Sequence, residues 1–246
     1  MPGPIAVKAV LFDLYETLVT HFDPNWAPPP RSIAERLGLE ETVYGEHWPP
    51  LDKAWQAGEI EHYEDALTRV CEVVGREPDA SVLAELTHEY RTMTARVFEA
   101  VQPEVIEMVA ALKESGLFLG VVTNASDLDA EPWAGSALAP FFDDFVASYQ
   151  VGLSKPDRRI YELACHRLDV RPAEAVFVGD GGSDELGGAA RAGIEAYWCT
   201  WFLDRWPEGI RPNGFEGDVW RQRKSHQDPP YDRLARPLDL LNAVSG

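Results

Sequence analysis

Short apolar runs that break abruptly into polar side chains are what most constrain this chain. Ala9-Val10-Leu11-Phe12 delivers Asp13, and the run over residues 117–122 passes into Thr123, Asn124, Ala125 and Ser126. Val176-Phe177-Val178-Gly179 ends in Asp180, with Asp184 four residues on. Runs this short and apolar read as strands buried on both faces of a parallel sheet. Ligands in such sheets sit beyond the carboxyl ends of the strands, so these polar residues stand where chemistry is done. An acid at a strand end is also an ordinary turn former or helix cap, so Asp13 alone decides nothing.

Between the first two runs the pattern changes. Residues 19–30 read as a linker closed by Pro28, Pro29 and Pro30, which stiffen the exit. Residues 31–101 are helical in pattern: Ile33, Leu37 and Leu39, then 48–55, then Tyr63, Ala66, Leu67, Val70, Val73 and Val74, closed by Gly75. Ser81 opens a further segment through Val82, Leu83, Leu86, Tyr90 and Phe98. No strand-like run interrupts this helical insertion of roughly 70–80 residues.

After it, strand and helix alternate. Helices are predicted at 103–115, partly at 128–138, at 158–168 and at 184–192, with Gly116 and Gly193 as stops. Strands are predicted at 117–122, 145–148, 175–178 and 196–199. Repeated β-α units with right-handed crossovers make an α/β fold with a doubly wound parallel sheet. Residues 200–231 hold Trp201, Trp206 and Trp220 among prolines and glycines, with no clean period. A loop this long is functional or disordered, and its aromatics favour packing on the core as an edge extension. Residues 234–244 read as a terminal helix.

The 41 acidic and 22 basic residues give a net charge of −19. That balance argues against nucleic-acid or anionic-membrane partners, which need basic patches. An anionic substrate must therefore be drawn in by a local cation or metal, against the overall field. Cys71, Cys165 and Cys199 have no metal or redox spacing and read as buried free thiols of a reducing cytosol. The N-terminus lacks a signal-peptide pattern and no run is long enough to cross a membrane, so a cytoplasmic protein is expected.

In order, a strand-end acid (Asp13), a strand-end hydroxyl (Thr123), a lysine in Ser154-Lys155-Pro156-Asp157 and an acid pair (Asp180, Asp184) resemble the haloacid dehalogenase-like hydrolase superfamily. The resemblance runs over residues 7–197. It implies an α/β core over 1–20 and 101–246, with residues 21–100 as a helical cap that closes over the site. Asp13 is then a nucleophile that attacks phosphorus and forms an aspartyl-phosphate. Phosphate and carboxylate repel, so Mg²⁺, an oxygen-seeking cation, is expected between them. Its implied ligands are Asp13, the backbone carbonyl of Tyr15 and Asp180, with Asp184 holding a metal-bound water. Thr123 and the neighbouring Asn124 would bind the phosphoryl oxygens, and Lys155 would pair with nucleophile and phosphoryl charge. The implied substrate is a small phosphorylated metabolite.

One position departs from the phosphatase pattern. Most phosphatases of the superfamily carry a second Asp two residues after the nucleophile, as acid for the leaving alcohol; here Tyr15 stands there, and Glu16 replaces the usual glycine. Loss of a general acid costs about 10²–10⁴ in rate. Glu16 and His21 are the nearby candidates to replace it. Asp-Leu-Tyr resembles the 2-haloacid dehalogenase branch, in which the carboxylate displaces halide from carbon without metal. That branch lacks the acid found here as Asp180. A catalytically weakened, ligand-binding domain is the third reading. Trp48, Trp55, His47, His62 and Arg91 are the cap residues available to line a site.

Overall fold

The computed structural model describes residues 6–22, 30–203 and 230–244. Among these, β1 (Ala9–Phe12), β2 (Phe118–Thr123), β3 (Asp144–Ala147), β4 (Ala175–Gly179), β5 (Glu195–Cys199) and β6 (Asp232–Leu234) form one sheet. The order is β3-β2-β1-β4-β5-β6, and every pairing is parallel. β1 is central: Phe12 lies level with Val121 of β2 and Val178 of β4. The Asp13 amide extends this ladder by donating to the Val178 carbonyl at 2.9 Å. The strand order reverses beside β1, which opens a crevice at its carboxyl end.

The pleat divides β1 between two cores. Val10 and Phe12 pack with Val105, Met108, Val109 and Leu112 of one helix (Pro103–Glu114, α5 in chain order) and with Leu240 of the terminal helix. Ala9 and Leu11 face the opposite layer, against Ile160, Tyr161 and Ala164 of α8 (Arg158–Arg167) and Leu186 and Ala189 of α9 (Glu185–Arg191). Both faces of the strand are therefore apolar, which is the physical content of its unbroken run.

Among the described residues, four helices lie between β1 and α5: α1 (Ile33–Leu37), α2 (Glu41–Gln56), α3 (Tyr63–Glu72) and α4 (Ala80–Glu99). They share a separate apolar cluster around Trp55, Tyr63, Leu67 and Val70. The helix α2 runs through Pro49 and Pro50, which remove two backbone donors from its middle. Two short helices of the core, α6 (Asp127–Ala130) and α7 (Ser148–Val151), meet the inserted layer. Trp55 Nε1 donates to Asp127 Oδ1 at 2.8 Å, Tyr90 Oη to Asp129 Oδ1 at 2.7 Å, and Ser148 Oγ to the Gln56 carbonyl at 2.5 Å. Gly58 (φ +75°) lies against the Tyr149 carbonyl, so close that a Cβ would overlap it.

The sheet carries one strand more than the pattern of residues 234–244 suggests. Residues 232–234 pair with Tyr197, Trp198 and Cys199 as a parallel edge, and the final helix, α10, spans only Asp239–Val244. Pro237 precedes it, and Asp239 Oδ2 accepts the Arg236 amide at its start. Trp201 and Phe202 are buried on the core, and Trp201 Nε1 donates to the Thr17 carbonyl at 2.8 Å. Trp206, Trp220 and most of the 19–30 linker lie outside the described residues. The three cysteines are free and buried. Among the described residues, no helix is long and apolar enough to cross a membrane.

Candidate active site

The first strand ends at Phe12 and projects Asp13 into the crevice, where it is 7% exposed. The turn that follows is pinned. Glu16 takes a left-handed conformation (φ 58°), which explains why glycine suits this position. Its carboxylate accepts from Thr20 Oγ1 at 2.7 Å and from the His21 amide at 2.8 Å. His21 stacks on Tyr15, with ring centroids 4.4 Å apart. Glu16 and His21 thus brace the turn against each other. Tyr15 donates its hydroxyl to the Asp129 carbonyl at 2.9 Å. Burial, with help from the Asp129 and Asp13 carboxylates, pushes its phenol well above the ordinary value.

On the other side of β1, the chain leaves β4 at Gly179 and presents Asp180, buried, with Oδ1 accepting the Gly182 amide at 3.0 Å. Ser183 and Asp184 then take left-handed conformations in succession (φ 53° and 52°). This double turn decides which acid enters the site. Asp184 is thrown outward, its side chain 63% exposed and ion-paired to Arg191 at 2.8 Å. Glu185, 1% exposed, turns inward instead. Its Oε1 accepts the Gly181 amide at 3.0 Å and its Oε2 the Lys155 ammonium at 2.5 Å. A Cβ on Gly179 would overlap Oε1, so the approach requires glycine there. The expectation for Asp184 is therefore corrected: the residue after it occupies the inner position.

Lys155 bonds both Asp13 Oδ1 and Glu185 Oε2. Burial pulls its ammonium down, but the two carboxylates outweigh this and hold its pKa above the ordinary lysine value. Asn124 holds the lysine in place from behind: its Oδ1 accepts the Lys155 amide at 2.7 Å and its Nδ2 donates to the Lys155 carbonyl at 3.0 Å. The Asn124 side chain is thus committed to the lysine loop. Thr123 is buried at the end of β2, the strand beside β1. Thr17, also buried, reaches Asp13 Oδ2 at 3.5 Å.

Asp13, Asp180 and Glu185 bring carboxylate oxygens within 4.8 Å of one another, all buried. Three carboxylates gathered this closely in the interior make ionisation of each harder in the presence of the others. The consequence is visible in the acids themselves. Burial and the neighbouring Asp180 raise Asp13 despite Lys155. Glu185 is pushed from 4.5 to about 8, by burial first and then by Asp13. A hard divalent cation fits this donor set in chemistry and in charge. Lys155 also lines a cavity of ≈ 340 Å³, together with Lys53 and Gln56 of α2 and with Asn124, Ser154, Pro156 and Ser183 of the core.

Asp13, Lys155, Asp180 and Glu185 thus converge on one crevice. The model of the haloacid dehalogenase-like hydrolase family matches residues 7–193. The chain belongs to this family. It is 32% identical over 250 residues to the glyceraldehyde 3-phosphate phosphatase of Methanopyrus kandleri, covering 97% of each chain. It is 28% identical to (S)-2-haloacid dehalogenase 1 of a Pseudomonas species, over 76% of this chain and 82% of that one. The solved L-2-haloacid dehalogenase of Xanthobacter autotrophicus superposes with a TM-score of 0.58 at 20% identity, covering 98% of this chain and 99% of that one, a likeness of fold.

Glu185, Thr17 and Lys53 escape a reading by motif. Glu185 is adjacent to a better-spaced acid, and only the two left-handed residues before it give it the inner place. Thr17 carries a faint signal, a hydroxyl four residues after the acid. Lys53 carries none, because its position depends on how the inserted helices dock.

Proposed function

We propose that the protein is a Mg²⁺-dependent phosphohydrolase acting on a small phosphorylated metabolite through an aspartyl-phosphate on Asp13. The observation that carries this reading is Asp180, a third buried carboxylate beside Asp13 and Glu185. A 2-haloacid would bring its own carboxylate against this cluster, whereas a metal-bridged phosphoryl group would be welcome there. The Methanopyrus relative, a glyceraldehyde 3-phosphate phosphatase, agrees with it.

Asp13, Asp180 and Glu185 would hold the cation, with the Tyr15 carbonyl as a further ligand. The bound Mg²⁺ would neutralise charge between nucleophile and phosphoryl group. Asp13 attacks phosphorus through a carboxylate oxygen, and the bond from phosphorus to the leaving oxygen breaks. Lys155, positioned by Asn124 and Glu185, offsets the charge gathering on the phosphoryl oxygens, with Thr123 donating to one of them. Water then cleaves the aspartyl-phosphate, releasing inorganic phosphate and restoring the carboxylate. Tyr15 is a weak acid in this setting, its hydroxyl already donating a hydrogen bond to the Asp129 carbonyl. The enzyme therefore favours substrates whose leaving oxygen needs little protonation. Residues 21–100 act as the cap. The free thiols suit a cytoplasmic location.

The test is hydrolysis of acetyl phosphate and p-nitrophenyl phosphate with and without Mg²⁺, beside halide release from 2-chloropropionate. Mg²⁺-dependent phosphate release that disappears in Asp13→Asn is the expected result. Metal-independent halide release, or no turnover of either phosphate, would overturn the proposal.

A further inference from the structure

We infer that Lys53 reads a carboxylate at the end of the substrate remote from the phosphoryl group, so that the preferred substrate is a small carboxylated phosphate. The inference takes the phosphoryl end from the function proposed above and concerns the opposite wall of the cavity.

Lys53 lies in the last turn of α2 and lines the cavity beside Gln56. A lysine there also suits the helix dipole, which by itself would explain its presence. Its electrostatic surroundings argue for more. Every other lysine among the described residues is ion-paired: Lys8 with Glu174, Lys113 with Asp143, Lys155 with Asp13 and Glu185. Lys53 forms no such pair among the described residues, in a chain with 41 acidic residues. The adjacent acid, Asp52, is engaged elsewhere and accepts Gln56 Nε2 at 3.1 Å. An open cation facing a cavity in a chain of net charge −19 is a locally reversed field, which draws and orients an anion.

The rest of the wall defines the ligand. Lys155 from the core and Lys53 from the inserted helices both line the cavity, together with side-chain amides and hydroxyls. Among the described residues, no carboxylate and no aromatic side chain lines it. At ≈ 340 Å³ it is near the lower end of ligand pockets, roughly 300–1,000 Å³. A ligand with an anionic group at each end and a short polar middle matches this wall. Phosphoryl charge is met at Lys155; the second group meets a single compact ammonium, adequate for a carboxylate. The inserted layer is held on the core by Trp55 and Tyr90, so Lys53 stands on a fixed element.

The test compares binding of two inert probes by calorimetry in the presence of Mg²⁺: 3-phosphonopropionate and propylphosphonate, which differ in the carboxylate. The intact protein should bind the first about tenfold or more tightly than the second. Lys53→Met should bring the two within about twofold, and Lys53→Arg should retain the preference. An equal affinity of the intact protein for both probes, binding of neither, or a preference that survives in Lys53→Met would overturn the inference. Loss of both probes in Lys53→Met would also overturn it, placing Lys53 on the phosphonate. Acetyl phosphate hydrolysis by the intact protein separates the two readings: its absence, with the probe preference present, removes the reaction and leaves the role of Lys53.

Discussion

Replacing Glu185 by Gln removes one buried negative charge and leaves an oxygen for the Gly181 amide. In the metal-free protein this carboxyl is pushed from 4.5 to about 8, by burial and by Asp13 and Asp180 against the pull of Lys155. Between those values the folded protein keeps a proton that the unfolded chain has released, so stability falls as pH rises from about 4.5 to about 8. At about 1.36 kcal/mol for each tenfold change in proton activity, the whole gap bounds the loss at about 5 kcal/mol. Urea unfolding in EDTA at about pH 5 and about pH 8 measures it. The unaltered protein should lose about 2–4 kcal/mol between the two, and Glu185→Gln less than about 1. Asp184→Asn should behave as the unaltered protein, because its exposed pair with Arg191 is worth about 0–1 kcal/mol. Magnesium should restore stability at the higher pH in the unaltered protein, by about 2.7 kcal/mol at a hundredfold excess over its dissociation constant, and less in Glu185→Gln. A flat pH dependence in the unaltered protein, or a slope abolished by Asp184→Asn alone, would refute the assignment of the inner acid.

Two further substitutions probe the supports of the site. In Gly179→Ala the new methyl collides with Glu185 Oε1, so magnesium affinity should fall about 10–100-fold by calorimetry while the fold persists. An unchanged affinity would mean that Glu185 is not held against β4. Tyr15→Phe should cost about 1 kcal/mol in urea unfolding, for the lost bond to Asp129, and leave the shape of the pH–rate profile unchanged. A lost limb of that profile would show the phenol to be the acid after all.

The layout of the core was legible because it depends on local pattern. Ala9–Phe12, 117–122 and 175–178 are apolar runs, and each proved to be a central strand of the sheet with its polar residue at the carboxyl end. The helical insertion was legible for the same reason, from the spacing around Tyr63 and Leu67. Where neighbours decide, pattern failed. Residues 232–234 are few and only Leu234 is apolar, and they form a strand because the edge of β5 offers unpaired donors and acceptors. The sequence also carries no sign that the Asn124 side chain is matched to the main chain of Lys155, 31 residues away.

By itself the sequence determined the α/β architecture, the place of Asp13, Asp180 and Lys155 at the head of that sheet, and the net charge of −19 against which any anionic ligand must be drawn. Each follows from short-range chemistry: the length of an apolar run, the residue that ends it, the sum of charges. Only the tertiary structure decided between Asp184 and Glu185, and only it brought Lys53 of α2 to the cavity that Lys155 lines. The first choice rests on two backbone residues in the left-handed region, which no helical spacing encodes. The second rests on contacts such as Trp55 with Asp127 and Tyr90 with Asp129, made between segments far apart in the chain. Such contacts form only when both elements have folded and their buried polar atoms must find partners.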